Sequence, residues 1–240
     1  MLQLNAEQLE LLEANTHKFQ QYFIQDCSCY KPTNSSRVQK KYERLQLLVQ
    51  QLVLGLPIEP ILQNYSELAK WINQLQPIIN ATTKQIQTNV VYQKLVFQNA
   101  LIFTRFDLLM SGYENLTAVN WSITDKFIAS DNLQKSWRTQ MGLFLLAQNE
   151  QVLLENISLV YYFFNLDGLT TIYKFSYSQE QHDGFKERLQ ATLSKLPACH
   201  AADEQVITVN INQAELNLQK FASGELSTEA YLETIPEVEI

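Results

Sequence analysis

The segment "TKQIQTNVVYQKLVFQNALIFTRFDLLMS" (residues 83–111) is the longest strongly apolar region of the chain, and it decides the predicted fold. Read as a helix, its large apolar residues fall on two adjacent stripes. The first stripe contains Val91, Leu95, Ile102, Phe106 and Leu109, and the second contains Tyr92, Val96, Phe103 and Met110. A helix that is apolar over so wide an arc is typical of a buried position. We therefore predict a central helix that ends at Ser111-Gly112.

Helix start and stop signals surround this segment. Asn5 and Gln8 have the spacing of a capping box, and Ser178 can begin another helix that runs to about Leu196. Further helices are predicted from Ser35 or Ser36 to Gly55, and from Pro60 to about Leu75 before Pro77. Six glycines and six prolines in 240 residues are too few for the many tight turns of an all-β fold.

The region 131–157 resembles a helical hairpin in its pattern. Asp131 can begin a helix, and one face of that helix would carry Leu133, Trp137, Met141, Phe144 and Leu145. Gln148-Asn149 is predicted to be a turn, and a second helix is predicted from Val152. We therefore expect two antiparallel helices here.

The sequence does not decide the secondary structure of two segments. Residues 157–177 contain Asp167-Gly168 between two apolar runs, which is a β-hairpin signal, but the surrounding chain favours helix. Residues 205–211 alternate and could form a short strand. The predicted fold is mostly α: a single domain over 1–240, built as a multi-helix bundle of antiparallel helix pairs, with a small hairpin at 157–177 or a strand at 205–211 as alternatives.

The charge is unevenly distributed. The net charge is −7, yet residues 1–200 contain 17 basic and 17 acidic residues, so the imbalance lies in an acidic region, 201–240. An acidic region argues against nucleic-acid binding and permits a basic partner, although such regions often serve only solubility. The chain lacks an apolar run long enough to span a membrane and the pattern of a signal peptide, and its three cysteines fit reduced thiols. We expect a cytoplasmic protein.

The sequence offers no recognisable catalytic motif. Cys27, Cys29, Cys199 and His200 could supply zinc ligands, but their spacing is poor for a structural site. Arg105-Phe106-Asp107 and Asp125-Lys126 are interpreted as structural or solvated charges. The tryptophans are interpreted as core residues and lie at Trp71, Trp121 and Trp137. No catalytic residue, cofactor or metal is predicted, and a helical enzyme is the least favoured class.

Two segments carry a resemblance to a family. The first begins Asn132-Leu-Gln-Lys-Ser-Trp137-Arg and continues through Gly142-Leu-Phe-Leu-Leu-Ala147 to Leu153. The second joins Ile172-Tyr-Lys-Phe175 to His182-Asp-Gly-Phe185 and Leu189 to Leu193. Together they resemble the immunity-49 family of bacterial antidotes to polymorphic toxins, over about 60 residues. The resemblance implies a mostly helical fold, favours helix at 157–177, and implies a protein that binds a co-encoded toxin.

We therefore expect a non-enzymatic immunity protein that binds and neutralises a cognate bacterial toxin. A basic toxin would be attracted by the acidic region, and the candidate partner-binding residues are Glu215, Glu225 and Glu229. The alternative is a helical adaptor or scaffold that holds a partner helix in an apolar groove. The identity of the toxin and the oligomeric state are left open by the sequence.

Overall fold

A computed structural model describes residues 1–21, 37–80, 85–87, 91–112, 114–124, 128–148, 152–165 and 169–196. These residues belong to a compact unit that spans Met1–Leu196, and a second unit, Pro197–Ile240, lies outside them. The helices within the described part are α1 (Ala6–Ala14), α2 (Thr16–Gln20), α3 (Arg37–Val53), α4 (Glu59–Leu62), α5 (Ser66–Asn80), α6 (Ser130–Lys135), α7 (Trp137–Leu146) and α8 (Gln179–Leu193). The strands there are β1 (Leu2–Leu4), β2 (Gln85–Gln87), β3 (Val91–Phe97), β4 (Ala100–Phe106), β5 (Leu108–Ser111), β6 (Leu116–Ile123), β7 (Ile157–Phe164) and β8 (Thr170–Ser176).

The prediction of a mostly α bundle of antiparallel helix pairs is wrong, because the described residues form an α/β fold with two mixed sheets. One sheet has three strands in the order β1-β4-β3, and the other has five in the order β2-β5-β6-β7-β8. The strand predicted at 205–211 lies outside the described residues.

The segment predicted as a central helix, 83–111, instead supplies four strands. β3 and β4 form an antiparallel hairpin in which Phe97 pairs with Ala100 across a two-residue turn. Gln98 in that turn has a φ of 54°. A left-handed residue suits the tight turn of a hairpin, but glutamine is a weak sequence signal for it.

The two stripes predicted for this helix correspond, over β3 and β4, to the two faces of the three-stranded sheet. Val91 pairs with Phe106 and Leu95 with Ile102, so the first stripe lies on the inner face. Lys94 pairs with Phe103, so Phe103 lies on the outer face with Tyr92 and Val96. A spacing of four returns to the same face in a strand as well as in a helix, so this spacing does not distinguish the two.

The strands β5, β6 and β7 of the five-stranded sheet are buried on both faces. β6 and β7 run parallel, and β7 pairs antiparallel with β8, so residues 157–177 do form the hairpin that the sequence left open. One face packs against α3 and α5 through residues such as Trp71, Trp121 and Phe164. The other face packs against α7 through residues such as Leu143 and Leu159. A strand covered on both sides is apolar throughout, and β7 (ISLVYYFF) has this composition.

Helix α7 contacts both sheets and the helices α1 and α8. The five residues predicted to share one helix face are all buried. Leu133, however, lies on α6 and belongs to a different core cluster, so the shared face is confirmed only for Trp137, Met141, Phe144 and Leu145 of α7. The predicted helical hairpin over 131–157 is wrong. Helix α7 begins at Trp137 after an N-cap at Ser136, and the described chain beyond it continues through a 3₁₀ turn, Leu154–Asn156, into β7.

The local helix signals match the structure more closely. Asn5 and Gln8 form the predicted capping box, and so do Ser178 and Gln181 at the start of α8. Gly55, with a φ of 70°, follows α3 as predicted. Helix α5, however, continues through Pro77 to Asn80, although the proline cannot donate the backbone hydrogen bond of its position. Across the described residues, none of the helices has the length and apolar content needed to cross a membrane.

Candidate functional site

The chain passes from the three-stranded sheet to the five-stranded sheet at Asp107, the single residue between β4 and β5. Its backbone N–H donates to the carbonyl of Val119 (3.1 Å) and to Oδ1 of Asn120 (3.2 Å), both on β6. Its carbonyl accepts a hydrogen bond from Nε2 of Gln46 on α3 (3.2 Å). Through these hydrogen bonds, the backbone of Asp107 connects helix α3 to the point where the chain passes from one sheet to the other.

The carboxylate of Asp107 is almost completely buried, with a relative exposure of 1%. The Tyr42 hydroxyl donates to Oδ1, and the backbone N–H of Trp121 donates to Oδ2 (2.8 Å). Nη2 of Arg105 lies 3.9 Å from Oδ1 and donates to the Tyr42 hydroxyl (2.9 Å). Both carboxylate oxygens are therefore hydrogen-bonded within the protein.

The polar contacts continue beyond Asp107 into the core. Asn120 is buried and its side chain also hydrogen-bonds Tyr161 on β7. The Tyr161 hydroxyl accepts a hydrogen bond from Oγ1 of Thr139 on α7 (3.1 Å). This chain of polar groups connects α3, both sheets and α7. Buried polar groups that are this well paired fix one arrangement of the elements that carry them.

Burial raises the pKa of the Asp107 carboxyl, although the hydrogen bonds from Tyr42 and Trp121 oppose that shift. Burial likewise raises the pKa of the Tyr42 hydroxyl, and the nearby Asp107 charge adds to the effect. The charges of Arg105 and Arg138 act in the opposite direction on both groups. Burial is the largest influence on the Asp107 carboxyl, and each of its oxygens accepts a hydrogen bond from within the protein.

An open cavity of about 400 Å³ lies above this cluster. It is lined by Gln39, Tyr42, Glu43, Gln46, Leu47, Gln50 and Arg105. A second cavity of about 360 Å³ is lined mainly by charged and polar residues of α3 and the start of α5, including Lys40, Lys41 and Arg44. Both cavities are lined mostly by residues with charged or polar groups.

The outer face of the three-stranded sheet is a different kind of surface. We use the name outer face for Tyr92, Lys94 and Val96 of β3 together with Leu101, Phe103 and Arg105 of β4. Tyr92 is 60% exposed and Val96 is 57% exposed, while Leu101 and Phe103 are half-buried. Four large apolar side chains and two cations therefore share one surface.

The tryptophans lie where the sequence placed them, in the core. Trp71, Trp121 and Trp137 are each at most 3% exposed. Nε1 of Trp137 donates to the Glu13 carboxylate (2.8 Å), which also receives two hydrogen bonds from Arg188 (2.8 and 2.5 Å). Hydrogen bonding to Arg188 lowers the pKa of Glu13 despite the opposing effect of burial. This cluster ties α1, α7 and α8 together.

The remaining predicted site residues cannot be placed. Glu215, Glu225 and Glu229 lie outside the described residues, and so do Cys27, Cys29, Cys199, His200, Asp125 and Lys126. Within the described part of the chain, no cluster of three or more His, Cys, Asp or Glu side chains is arranged to hold a metal. Arg105 and Asp107 form the structural pair that the sequence suggested.

Sequence reasoning missed the role of Tyr42 and Asn120, and it missed the outer face. Tyr42 and Asp107 are 65 positions apart, so no local spacing reveals their contact. The one available signal was Asp107 itself, an acidic residue inside a strongly apolar segment, which is rare unless the carboxyl is paired.

Comparison with known proteins gives little further information. No family model and no curated protein matches the chain. Among solved structures, the crystal structure of SSO0001 is similar with a TM-score of 0.33 and 12% identity, covering 78% of this chain and 84% of that one. An alkaline exonuclease, LHK-Exo from Laribacter hongkongensis, is similar with a TM-score of 0.37 and 9% identity, covering 89% and 94%. At these scores, neither likeness bears on the activity of this chain.

Proposed function

We propose that this protein acts by binding another protein, as a non-enzymatic immunity protein that neutralises a cognate bacterial toxin in the cytoplasm. The observation that carries the proposal is the outer face, where Tyr92 and Val96 are mostly exposed beside Leu101 and Phe103. Exposed apolar groups that are contiguous and bordered by polar residues mark interaction surfaces.

The burial and hydrogen bonding of the Asp107 side chain are consistent with a protein that binds a partner without catalysis. A general acid or base must be able to reach the substrate. Asp107 is instead almost completely buried, and its two oxygens accept hydrogen bonds from Tyr42 and Trp121. The toxin as partner is supported by the resemblance in the segments around Trp137 and Phe185, and the acidic region supports a second, electrostatic contact through Glu215, Glu225 and Glu229.

The proposal requires a toxin gene beside this one, and the test is rescue of cells that express its toxin domain. We expect co-expression of this protein to restore growth and purified protein to bind the toxin domain. A variant with glutamine at Glu215, Glu225 and Glu229 should bind more weakly at low salt and should lose part of the salt dependence, because complementary charges are screened by salt. Failure of the wild-type protein to rescue growth or to bind would contradict the proposal, whereas an unchanged triple variant would contradict only the electrostatic contact.

A further inference from the structure

Strand β3 is at the edge of the three-stranded sheet. It pairs with β4 on one side, and no strand of the described residues pairs with it on the other. An edge strand presents main-chain N–H and C=O groups to which a further strand can bind. The side chains at its outer face are Tyr92, Lys94 and Val96, and all three are exposed.

Lys94 stands at the midpoint of β3, with Tyr92 and Val96 two positions away on either side. If two copies of the chain paired symmetrically and antiparallel through β3, Lys94 would face Lys94 of the other copy. Like charges directly opposite one another destabilise a strand pair. A lysine at this position is also a common means of preventing edge-to-edge association. The edge therefore disfavours a second copy of the same chain.

The same lysine favours a strand with the opposite charge. A carboxylate opposite Lys94 would form a cross-strand ion pair, and Arg105 on the neighbouring strand adds a second cation to the outer face. Large apolar side chains two positions to either side of the carboxylate would lie against Tyr92 and Val96. Alternate side chains of an added strand point to the same face, so one extended segment can satisfy all three positions.

We propose that β3 accepts an extended segment of a partner protein that carries an acidic residue opposite Lys94 and apolar residues two positions before and after it. The inference deepens the proposed function, since it names the surface and the chemistry of the partner. It can be tested without the toxin.

The experiment uses the Lys94→Glu variant of this protein as the acidic strand. Its β3 keeps Tyr92 and Val96 around a central carboxylate, so it has the features required of the partner. Isotope-labelled wild-type protein is titrated with the unlabelled variant at low salt, and backbone amide signals are followed by NMR. We expect shifts at residues 91–97, with an affinity on the order of tenfold higher than for unlabelled wild type, because a like-charge pair is replaced by an opposite-charge pair.

Lys174→Glu is the matched control. Lys174 is exposed on β8, the edge strand of the other sheet, and the substitution makes the same change of charge. We expect this variant to behave like the wild type in the titration. If Lys94→Glu causes no shifts in β3, or if both variants cause equal shifts, the proposal is wrong. Circular dichroism and thermal unfolding confirm that both variants are folded before they are compared.

A second measurement separates this proposal from the proposed function. Lys94→Glu should weaken binding to the toxin domain by about tenfold or more, while Lys174→Glu leaves it unchanged. If the Lys94→Glu variant binds the toxin and rescues growth as well as the wild type does, the toxin does not bind at β3. The inference about β3 is then wrong, while the proposed function still stands.

Discussion

Substitution of Asp107 by alanine should strongly destabilise the protein. The substitution removes the acceptors of the Trp121 backbone N–H (2.8 Å) and of the Tyr42 hydroxyl. The Trp121 group is buried, and a buried donor without an acceptor costs roughly 1–3 kcal/mol. The Tyr42 hydroxyl lines an open cavity, where water can replace part of the lost bond, so its cost lies near the lower end of that range. The expected loss in the free energy of unfolding is about 3 kcal/mol.

Substitution by asparagine should cost less, because its side-chain oxygen can still accept from Trp121. Its amide group cannot accept from Tyr42, so only that hydrogen bond is lost, at about 1 kcal/mol. Asp131→Ala is the control, since Asp131 is exposed in the first turn of α6 and should change stability by less than about 0.5 kcal/mol.

Guanidinium unfolding measured by both fluorescence and circular dichroism provides the free energies, provided that the two transitions coincide. An Asp107→Ala variant within about 1 kcal/mol of the wild type would refute the interpretation of Asp107 as the link between the sheets and α3. The same conclusion would follow if Asp107→Asn lowered the free energy of unfolding as much as Asp107→Ala does. The loss of stability would then not depend on the hydrogen bond that asparagine retains.

Two further predictions concern glycines and a histidine. Gly142→Ala should destabilise the protein by about 1 kcal/mol in the same unfolding assay, because the added Cβ would lie 3.2 Å from Cδ2 of Leu159. Gly184→Ala on α8 should stabilise the protein by about 1 kcal/mol, because its added Cβ meets nothing within 4 Å. Equal effects of the two substitutions would contradict the packing described for α7. Burial lowers the pKa of His182, so its stabilising contribution is present above the unfolded pKa of about 6.5 and is lost as the pH falls through the lower folded value. Unfolding measured between pH 7 and pH 5 should therefore show a steeper loss of stability for the wild type than for His182→Gln, and parallel curves would show the prediction to be wrong.

The helix starts could be predicted from sequence because their determinants are local. The capping boxes at Asn5 and Ser178 each use a partner three residues away, and both are present in the structure. The four residues of α7 on the predicted apolar face could be predicted for the same reason, since they lie close together along one helix. Information of this kind does not depend on the rest of the fold.

The strands of residues 83–111 could not be predicted by the same reasoning. Pairs such as Val91 and Leu95 are four positions apart, a spacing that is shared by a helix face and a strand face. The turn that separates β3 from β4 is formed by Gln98-Asn99, which lacks the usual glycine. A chain with several well-signalled helices then makes helix the more natural interpretation of any ambiguous segment. The enrichment of this segment in Val, Ile, Phe and Thr is the sequence signal that favours strands.

The two segments that carry the family resemblance meet in the structure. The ring of Phe185 on α8 lies 5.3 Å from that of Trp137 and 5.3 Å from that of Phe144, both on α7. The resemblance is therefore a pattern of residues that pack two helices together, and part of the second segment, Ile172 to Phe175, is strand and not a helix end.

A packing pattern of this kind can predict which helices touch, but it does not specify which surface meets a partner. The outer face is built from β3 and β4, and neither strand belongs to the two segments. Variants of Trp137 or Phe185 would reduce the binding of any partner merely by unfolding the protein. Exposed residues such as Lys94 can change binding while the fold is kept, so the proposed function must be tested on β3 and not on the residues that carry the resemblance.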